Sequence, residues 1–393
     1  MARELKEAYI VDAIRTPIGK RNGFFKNYHS VDLLSGQLRN IVERSGVNPE
    51  TVEDIIAGCV TQIGEQGANI ARNAALSAGF PDSVPGTTVD RQCGSSLQAV
   101  QFAAQGIQSG FYDLVIAGGV ESMSRQPIGS NISGEMNPIT PMIEKRYSLN
   151  GQWFSQAYGA ELIAKEYGFT REELDRFSLR SHQLAFSSME HFKNELVPVK
   201  VQNEEDGQIA EVILDRDEGV RANTTLEKMM NLPPAFKGLE LITAANSSQI
   251  SDGASTVLLA SEEAVEKYDL RAKAKFLSFS VVGVDPITML KGPIPATRKA
   301  LAKARMDISQ IDYYEVNEAF APVPLAWLME FDADPKRLNP HGGAIAIGHP
   351  LGATGSRIIA TMLNTLESSG KGTGLIAVCE GGGMANAAII ERL

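Results

Sequence analysis

The chain has 393 residues, 43% hydrophobic and 21% charged, the proportions of a well-cored globular protein of two or three domains rather than a disordered or fibrous one. Its 37 Lys and Arg against 47 Asp and Glu leave a net charge of -10 with no dense basic block, which argues against a nucleic-acid partner. No stretch approaches the ~20 consecutive apolar residues that cross a bilayer, and the opening residues run straight into Ala8-Tyr9-Ile10-Val11, so neither membrane insertion nor a secretory signal is expected and the location reads as cytoplasmic.

In chain order, Tyr9-Ile10-Val11 reads as a short strand, and Asp12 to Gly19, with Pro17 and Gly19, as the loop after it. Ser30 is placed to cap a helix carrying Leu33, Leu34, Leu38 and Ile41 that stops near Ser45-Gly46. Asp54 to Val60 follows as a buried strand and Ala68 to Leu76 as a second helix, an alternation that predicts a mainly parallel sheet with covering helices. Thr87 to Ser96 then passes from β-branched residues to small ones, and Leu97, Val100, Ala104 and Ile107 resume at helical spacing. Cys93 therefore falls at a helix N-terminus, where free N–H groups and the helix dipole favour a thiolate. Cys is equally a common small core residue, and position alone does not choose.

Phe111 to Val120 is a strand containing a Gly pair, and after it the regular alternation stops. Residues 121–245 are richer in Met, Asn, Pro and charge and read as an insertion between two sheet-based halves. Within it Thr170-Arg171-Glu172-Glu173 is a capping box opening a helix, and Asp206-Gly207 should turn a hairpin between Val197–Val199 and Ile209–Val212. His182 and His191 lack carboxylates at ligand spacing and read as packing or surface residues, so no metal site is expected.

The last third repeats the plan of the first. Asp312 to Asn317 parallels Asp54 to Gly58, and Gly374 to Gly383 parallels Asp113 to Gly119. His341 to Gly355 is dense in Gly and Pro with Ala and Ile between, and delivers His349 just ahead of a helix, as Cys93 is delivered in the first copy. Two copies of one α/β unit packed about a pseudo-twofold axis would bring Cys93 and His349 face to face. Cys379 ends an apolar strand and precedes three glycines, which can aim backbone N–H groups at an oxyanion. Asn317 sits just past a strand; taken alone it reads more readily as the N-cap of a helix over Glu318 to Met329 than as a group orienting water or a carbonyl. The three cysteines, Cys59, Cys93 and Cys379, are odd in number and widely spread, which leaves neither a disulfide framework nor a paired zinc site. No Walker loop, dinucleotide fingerprint, His-Glu-x-x-His or Gly-x-Ser-x-Gly is present, and two thiols, one imidazole and one amide at turns fit thiol acyl transfer.

In these motifs the chain resembles the thiolase family from end to end: Cys93-Gly94-Ser95, Asn317-Glu318-Ala319-Phe320, Gly342 through His349-Pro350 and Cys379-Glu380-Gly381-Gly382-Gly383 stand in the family's order. The resemblance implies an α/β fold of duplicated βαβ halves in five layers, α-β-α-β-α, with an inserted loop domain: residues 1–120, an insertion over 121–245 that returns to the first half until about 270, and 271–393. It implies that Cys93 accepts the acyl group, His349 takes its proton, and Cys379 protonates the departing acetyl-CoA enolate. One oxyanion site would use His349 with a water held by Asn317, the other the backbone N–H groups of Cys93 and Gly381. It further implies coenzyme A as co-substrate with no permanently bound cofactor, Arg221 near the adenine end, Ser248 near the pantetheine, and a homodimer or homotetramer.

The sequence departs from many family members at Asp90, Ser96 and Glu380, where Asn, Gly and a small apolar residue are usual. Gln156-Ala157 replaces the Met-Gly of the acyl pocket while Met289 keeps its counterpart, which points away from the short-chain biosynthetic branch. The expectation is thiolytic cleavage of 3-oxoacyl-CoA in fatty-acid or sterol side-chain degradation. The alternative is an acetoacetyl-CoA thiolase in the condensing direction; a lipid carrier on the same fold would have lost one of Cys93, His349 or Cys379, and a redox sensor would pair the two cysteines.

Overall fold

The computed structural model describes residues 5–132, 138–149, 154–205 and 208–393. The first strand, β1 (Tyr9–Arg15), leads through β2 (Gly19–Lys20) to α1 (Ser30–Ser45). Next come β3 (Asp54–Gly58), α2 (Ile70–Ser77), β4 (Thr87–Val89), α3 (Ser95–Gln108) and β5 (Leu114–Ser122). The middle of the chain holds α4 (Pro141–Tyr147), α5 (Gln156–Glu166), α6 (Arg171–Ser187), α7 (Met189–Phe192), the hairpin β6 (Val199–Glu205) and β7 (Gln208–Leu214), and α8 (Leu226–Met230). The rest is β8 (Ser251–Ala260), α9 (Glu262–Lys267), β9 (Ala274–Gly283), α10 (Pro293–Ala304), β10 (Tyr313–Val316), α11 (Pro322–Phe331), α12 (Ala344–Ile347), α13 (Thr354–Ser369), β11 (Thr373–Glu380) and β12 (Met384–Arg392).

Ten strands form one sheet in the order β10-β11-β12-β9-β1-β8-β5-β3-β4, with β2 on β8. The order is symmetric about the junction of β9 and β1, where Tyr9 and Ile10 pair with Lys275 and Ala274. Outward from it each half runs antiparallel, antiparallel, then parallel: β1-β8-β5-β3 mirrors β9-β12-β11-β10. The repeat read in the sequence is thus a repeat of topology. The sheet is mixed rather than mainly parallel, because β8 and β12 return beside β5 and β11 and their pairing is antiparallel.

Three cores make the layering. One lies among α3, α13 and the facing sides of both halves, with Leu97, Val100, Ile359 and Ile376 buried in it. A second packs α1 and α2 on the outside of the first half, and a third packs α10, α11 and α5 on the outside of the second. Helices and strands therefore alternate α-β-α-β-α, with α3 and α13 sandwiched in the middle.

Several local readings shift. β1 runs to Arg15 rather than stopping at Val11, since Ala13 and Ile14 are buried against β8. His29, not Ser30, caps α1, its Nδ1 accepting from the Val31 N–H, while Gly46 ends the helix in the left-handed conformation. Asn317 is not a helix cap: α11 begins at Pro322, whose missing N–H costs nothing in a first turn. Thr170 and Glu173 make the reciprocal capping box. β6 and β7 pair antiparallel, whereas the Asp206-Gly207 turn lies outside the described residues.

The central layer closes through backbone contacts that only glycine permits. A Cβ on Gly119 would overlap Gly352 O, one on Gly58 would overlap Ser96 N, and one on Gly355 would overlap Leu97 N. The strand ends, the start of α3 and the start of α13 therefore touch main chain to main chain. Gly119→Ala should lower stability by about 1–3 kcal/mol through overpacking, measured by urea unfolding. Gly36→Ala, inside α1 with nothing within 4 Å of the new methyl, should instead raise stability by about 0.5–1 kcal/mol; equal effects at the two positions would refute the close-packing account.

Candidate active site

Cys93 is presented by a strained turn. Gln92, just before it, has φ of 48°, an unusual conformation for a residue with a side chain. It is held by local bonds: the Gln92 N–H donates to Asp90 Oδ1 at 2.7 Å, Ser95 Oγ donates to Gln92 O at 2.6 Å, and the Arg91 N–H donates to Ser95 Oγ at 2.8 Å. Asp90 thus closes an Asx turn that aims Cys93 into the space ahead of α3.

His349 comes from the equivalent place in the second half, after α12 and before α13. Its N–H groups fix the ring. Thr354 Oγ1 donates its one hydrogen to Pro350 O at 2.8 Å, so at 2.6 Å from His349 Nδ1 it accepts, and Nδ1 carries the proton. The lone pair is then on Nε2, which faces Asn317 Nδ2 at 3.4 Å. Burial lowers the imidazole pKa to about 3, with Arg357 adding to the effect, so the ring is neutral and able to accept a proton.

Cys379 and Gly381 complete the group. Asn317 Nδ2 faces His349, and its amide favours the charged form of Cys379, as the N–H groups of Gly381 and of Cys93 itself favour the charged form of Cys93. The Cys379 sulfur is close enough that its charge would oppose ionisation of Cys93. Cys93, Cys379, Asn317, His349 and Gly381 therefore share one buried cluster.

Helix-terminal lowering of the Cys93 pKa does not hold in the free protein. Burial pushes it well above the ordinary thiol value, Cys379 and Glu380 push it further, and the Gly381 and Cys93 N–H groups offset only part. Cys379 is pushed up to about 12, first by burial and then by Glu380, with its own N–H and Asn317 opposing. The resting cluster is thus two thiols and a neutral imidazole.

The other expected residues lie around this cluster. A cleft of about 440 Å³ is lined by Arg221, His182, Lys228, Gln249 and Ile345 among others. His182 is buried and neutral, its Nδ1 accepting from the Arg221 N–H at 3.2 Å, and so is a packing residue. Ser248 donates its backbone N–H to Ala319 O; the wall at this point is Gln249, whose carbonyl accepts from the His349 N–H at 3.3 Å and joins the cleft to the histidine turn. Gln156 stands by Gly381: a Cβ there would meet Gln92 Oε1 at 3.0 Å and Gln156 Nε2 at 3.3 Å. Met289 is fully buried in the outer core of the second half, just behind α5. Among the described residues no group of His, Cys, Asp or Glu is placed to hold a metal, and no helix is long and apolar enough to cross a membrane.

Sequence reasoning missed the supports. Glu121 accepts from the N–H groups of Val60, Thr61 and Gly352 and from Gln66, so one buried carboxylate ties the ends of β3 and β5 to the histidine turn. Glu318, inside the asparagine motif, accepts from Ser181 Oγ, Asn339 Nδ2 and the Ile345 N–H and anchors α12 to α6. Thr354 carries a legible signal, a hydroxyl at the first residue of the helix that follows the histidine; Glu121 carries none, because its partners come from two segments far from it in the chain.

A family model described as the thiolase N-terminal domain matches residues 8–263, and one described as the thiolase C-terminal domain matches 270–392. The chain is 49% identical over 396 residues to the steroid 3-ketoacyl-CoA thiolase FadA6 of Mycobacterium tuberculosis, covering 99% of this chain and 95% of that one. It is 41% identical over 407 residues to the beta-ketoadipyl-CoA thiolase of Acinetobacter baylyi, covering 99% and 100% respectively. The crystal structure of the Bacillus anthracis acetyl-CoA acetyltransferase superposes with a TM-score of 0.90 at 37% identity over the full length of both chains.

Two outcomes follow from the imidazole's setting. Thr354→Val, which removes the acceptor for Nδ1–H and leaves the tautomer free rather than inverted, should lower kcat with the fold retained, by less than the ~10⁴-fold that the wrong tautomer costs a Ser-His-Asp triad. With its pKa lowered to about 3, His349 stays neutral as pH falls from 8 to 5, so kcat/KM should show no acid limb from imidazole protonation; a limb near the ordinary histidine value of about 6.5 would contradict the burial argument.

Proposed function

This chain belongs to the thiolase family, and on that premise we propose the following division of labour for its reaction, the cleavage of 3-oxoacyl-CoA by coenzyme A. The observation that carries it is the buried cluster of Cys93, Cys379, Asn317 and His349 beside the Gly381 N–H. His349 Nε2 takes the Cys93 proton as the sulfur attacks the C3 carbonyl, and the N–H groups of Cys93 and Gly381 hold the resulting oxyanion. The C2–C3 bond breaks with its electron pair left on C2, and the Cys379 thiol delivers its proton there, releasing acetyl-CoA. His349, with a water held by Asn317, stabilises the enolate oxygen during that step. The Cys379 thiolate then takes the proton of incoming coenzyme A, whose sulfur attacks acyl-Cys93. The shortened acyl-CoA leaves and Cys93 recovers its proton from His349. Desolvation suits this order, since each charge exists only while a partner is present to meet it.

We assign the cleft under Arg221 to coenzyme A, with Arg221 and Lys228 as cations for its phosphates and Gln249 leading the pantetheine arm toward His349, past Ser248. Residues 121–245 supply most of that cleft, which supports reading them as a coenzyme-A-binding insertion between halves that span 1–120 with 246–270 and 271–393. The acyl chain would run past Gln156, with Met289 behind it. The carboxamides of Gln92 and Gln156 lie by Gly381, and this polar pair in place of the methionine of the acetoacetyl-specific pocket is what supports degradative substrates over acetoacetyl-CoA. Buried, unpaired thiols suit the reducing cytoplasm. β4 stands at the end of the sheet with one side unpaired, a template on which a second copy could assemble into a homodimer or homotetramer.

Incubation with a series of 3-oxoacyl-CoAs followed by mass spectrometry tests this reading. Acyl mass should appear on Cys93, kcat/KM should be higher for longer chains than for acetoacetyl-CoA, and Cys93→Ala should lose about 10³-fold or more in turnover. Cys379→Ala should still acylate from a pre-activated thioester while losing carbon–carbon cleavage. Acyl mass on another residue, or a clear preference for acetoacetyl-CoA, would overturn it.

A further inference from the structure

Glu380 has no role in the steps above, yet it is fully buried between the two thiols' elements. Along β11 the side chains alternate: Leu375, Ala377 and Cys379 face the outer core of the second half, whereas Ile376 and Val378 face the central layer. Glu380 follows the second set and points at the start of α3. There a Cβ on Gly94 would overlap Glu380 Oε1 and would lie 2.8 Å from Asn386 Oδ1. Neither carboxyl oxygen of Glu380 has a hydrogen-bond donor, and neither does Asn386 Oδ1. The other end of the Asn386 amide is engaged, Nδ2 donating to Gly94 O at 3.0 Å.

Two acceptors meeting at one glycine without a hydrogen between them is a costly arrangement for a carboxylate and an ordinary one for a carboxylic acid. Resting on the thiolase reading above, we propose that Glu380 is held as the neutral acid, donating its proton to Asn386 Oδ1, and so acts as a positioning residue for the Cys93 turn. The chain Glu380 to Asn386 to Gly94 O pins the residue next to Cys93 to β11 and β12. It also keeps a fixed negative charge away from both sulfurs, each of which must carry negative charge in turn.

The charged and titratable groups facing Glu380 agree with this. Burial raises its pKa to about 9; Arg91, before α3, opposes the rise, and Asp90 from the same turn adds to it. Arg91 Nε is itself without a partner, so the guanidinium does not hydrogen-bond the carboxyl through it. Cys93 and Cys379 are the remaining ionisable neighbours, and an ionised Glu380 raises the pKa of both.

Infrared difference spectra of the wild type against Glu380→Gln test the protonation state without reference to turnover. The protonated-carboxyl carbonyl band should be present at neutral pH in the wild type, absent in E380Q, and lost as pH rises through the range near 9. Subtraction isolates Glu380 from the other buried carboxyls. Alkylation of Cys93 by iodoacetamide, read by mass spectrometry, reports the positioning: Glu380→Ala should slow it about tenfold, and E380Q, whose amide N–H replaces the acid proton, should recover most of that loss. Above pH 9 the E380Q rate should keep climbing while the wild-type rate lags. Absence of the protonated band overturns the proposal, as do E380Q and wild-type alkylation profiles that superimpose. Failure of the thiolase reading would instead appear as a missing acyl-Cys93, with the infrared result untouched.

Discussion

The site depends on how closely main chain approaches main chain in the central layer. Gly58 at the end of β3 and Gly119 within β5, with Gly352 just before α13 and Gly355 in its first turn, let Ser96, Leu97 and the histidine turn come together without side chains between them. A methyl group in that contact would push the two turns apart. The pseudo-symmetric order of the sheet brings α3 and α13 together in this layer, but the glycines set the distance. Glu121 then locks the arrangement by accepting from both sides of it.

Burial has a second consequence, which is to keep the resting site electrically neutral. The thiols are raised, the imidazole is lowered, and Glu380 is raised to about 9, each chiefly because water is excluded. A helix N-terminus and two N–H groups at Cys93 do not overcome desolvation in the resting protein, but on the proposed mechanism they stand where charge develops when a carbonyl is attacked. Such donors contribute to the transition state rather than the ground state. Charge is placed elsewhere with care: Arg15, fully buried on β1, meets Glu195 and Asp217 of the middle segment, and Glu195 is also bound by Thr361 and Asn364 of α13. That cluster ties the middle segment to both halves, and removing one partner would strand the others.

Much of the architecture was legible because it rests on local chemistry. Period-2 and period-3.6 patterns located nearly every strand and helix that carries the site, the Thr170 box marked its helix, and Gly46 marked the end of α1. The repeat of strand, turn, helix and strand foretold the mirrored sheet order. The direction of pairing was not legible, since a run of buried apolar residues reads the same beside a parallel or an antiparallel neighbour. Asn317 shows the same limit at one residue: a polar side chain after a strand looks like a helix cap until Pro322 is seen to open the helix instead.

By itself the sequence determined which reactive groups exist and that each sits in a glycine-rich or small-residue turn, because turn chemistry and amphipathic spacing are properties of neighbouring residues. It also fixed the motif order that the thiolase family shares. Tertiary structure alone decided that Asn317 faces His349, that Thr354 fixes the tautomer, that Glu121 and Glu318 bind turns from distant segments, and that Glu380 and Asn386 both come up against Gly94. Those outcomes depend on distances between residues far apart in the chain and on the removal of water, and neither quantity is written in any local pattern.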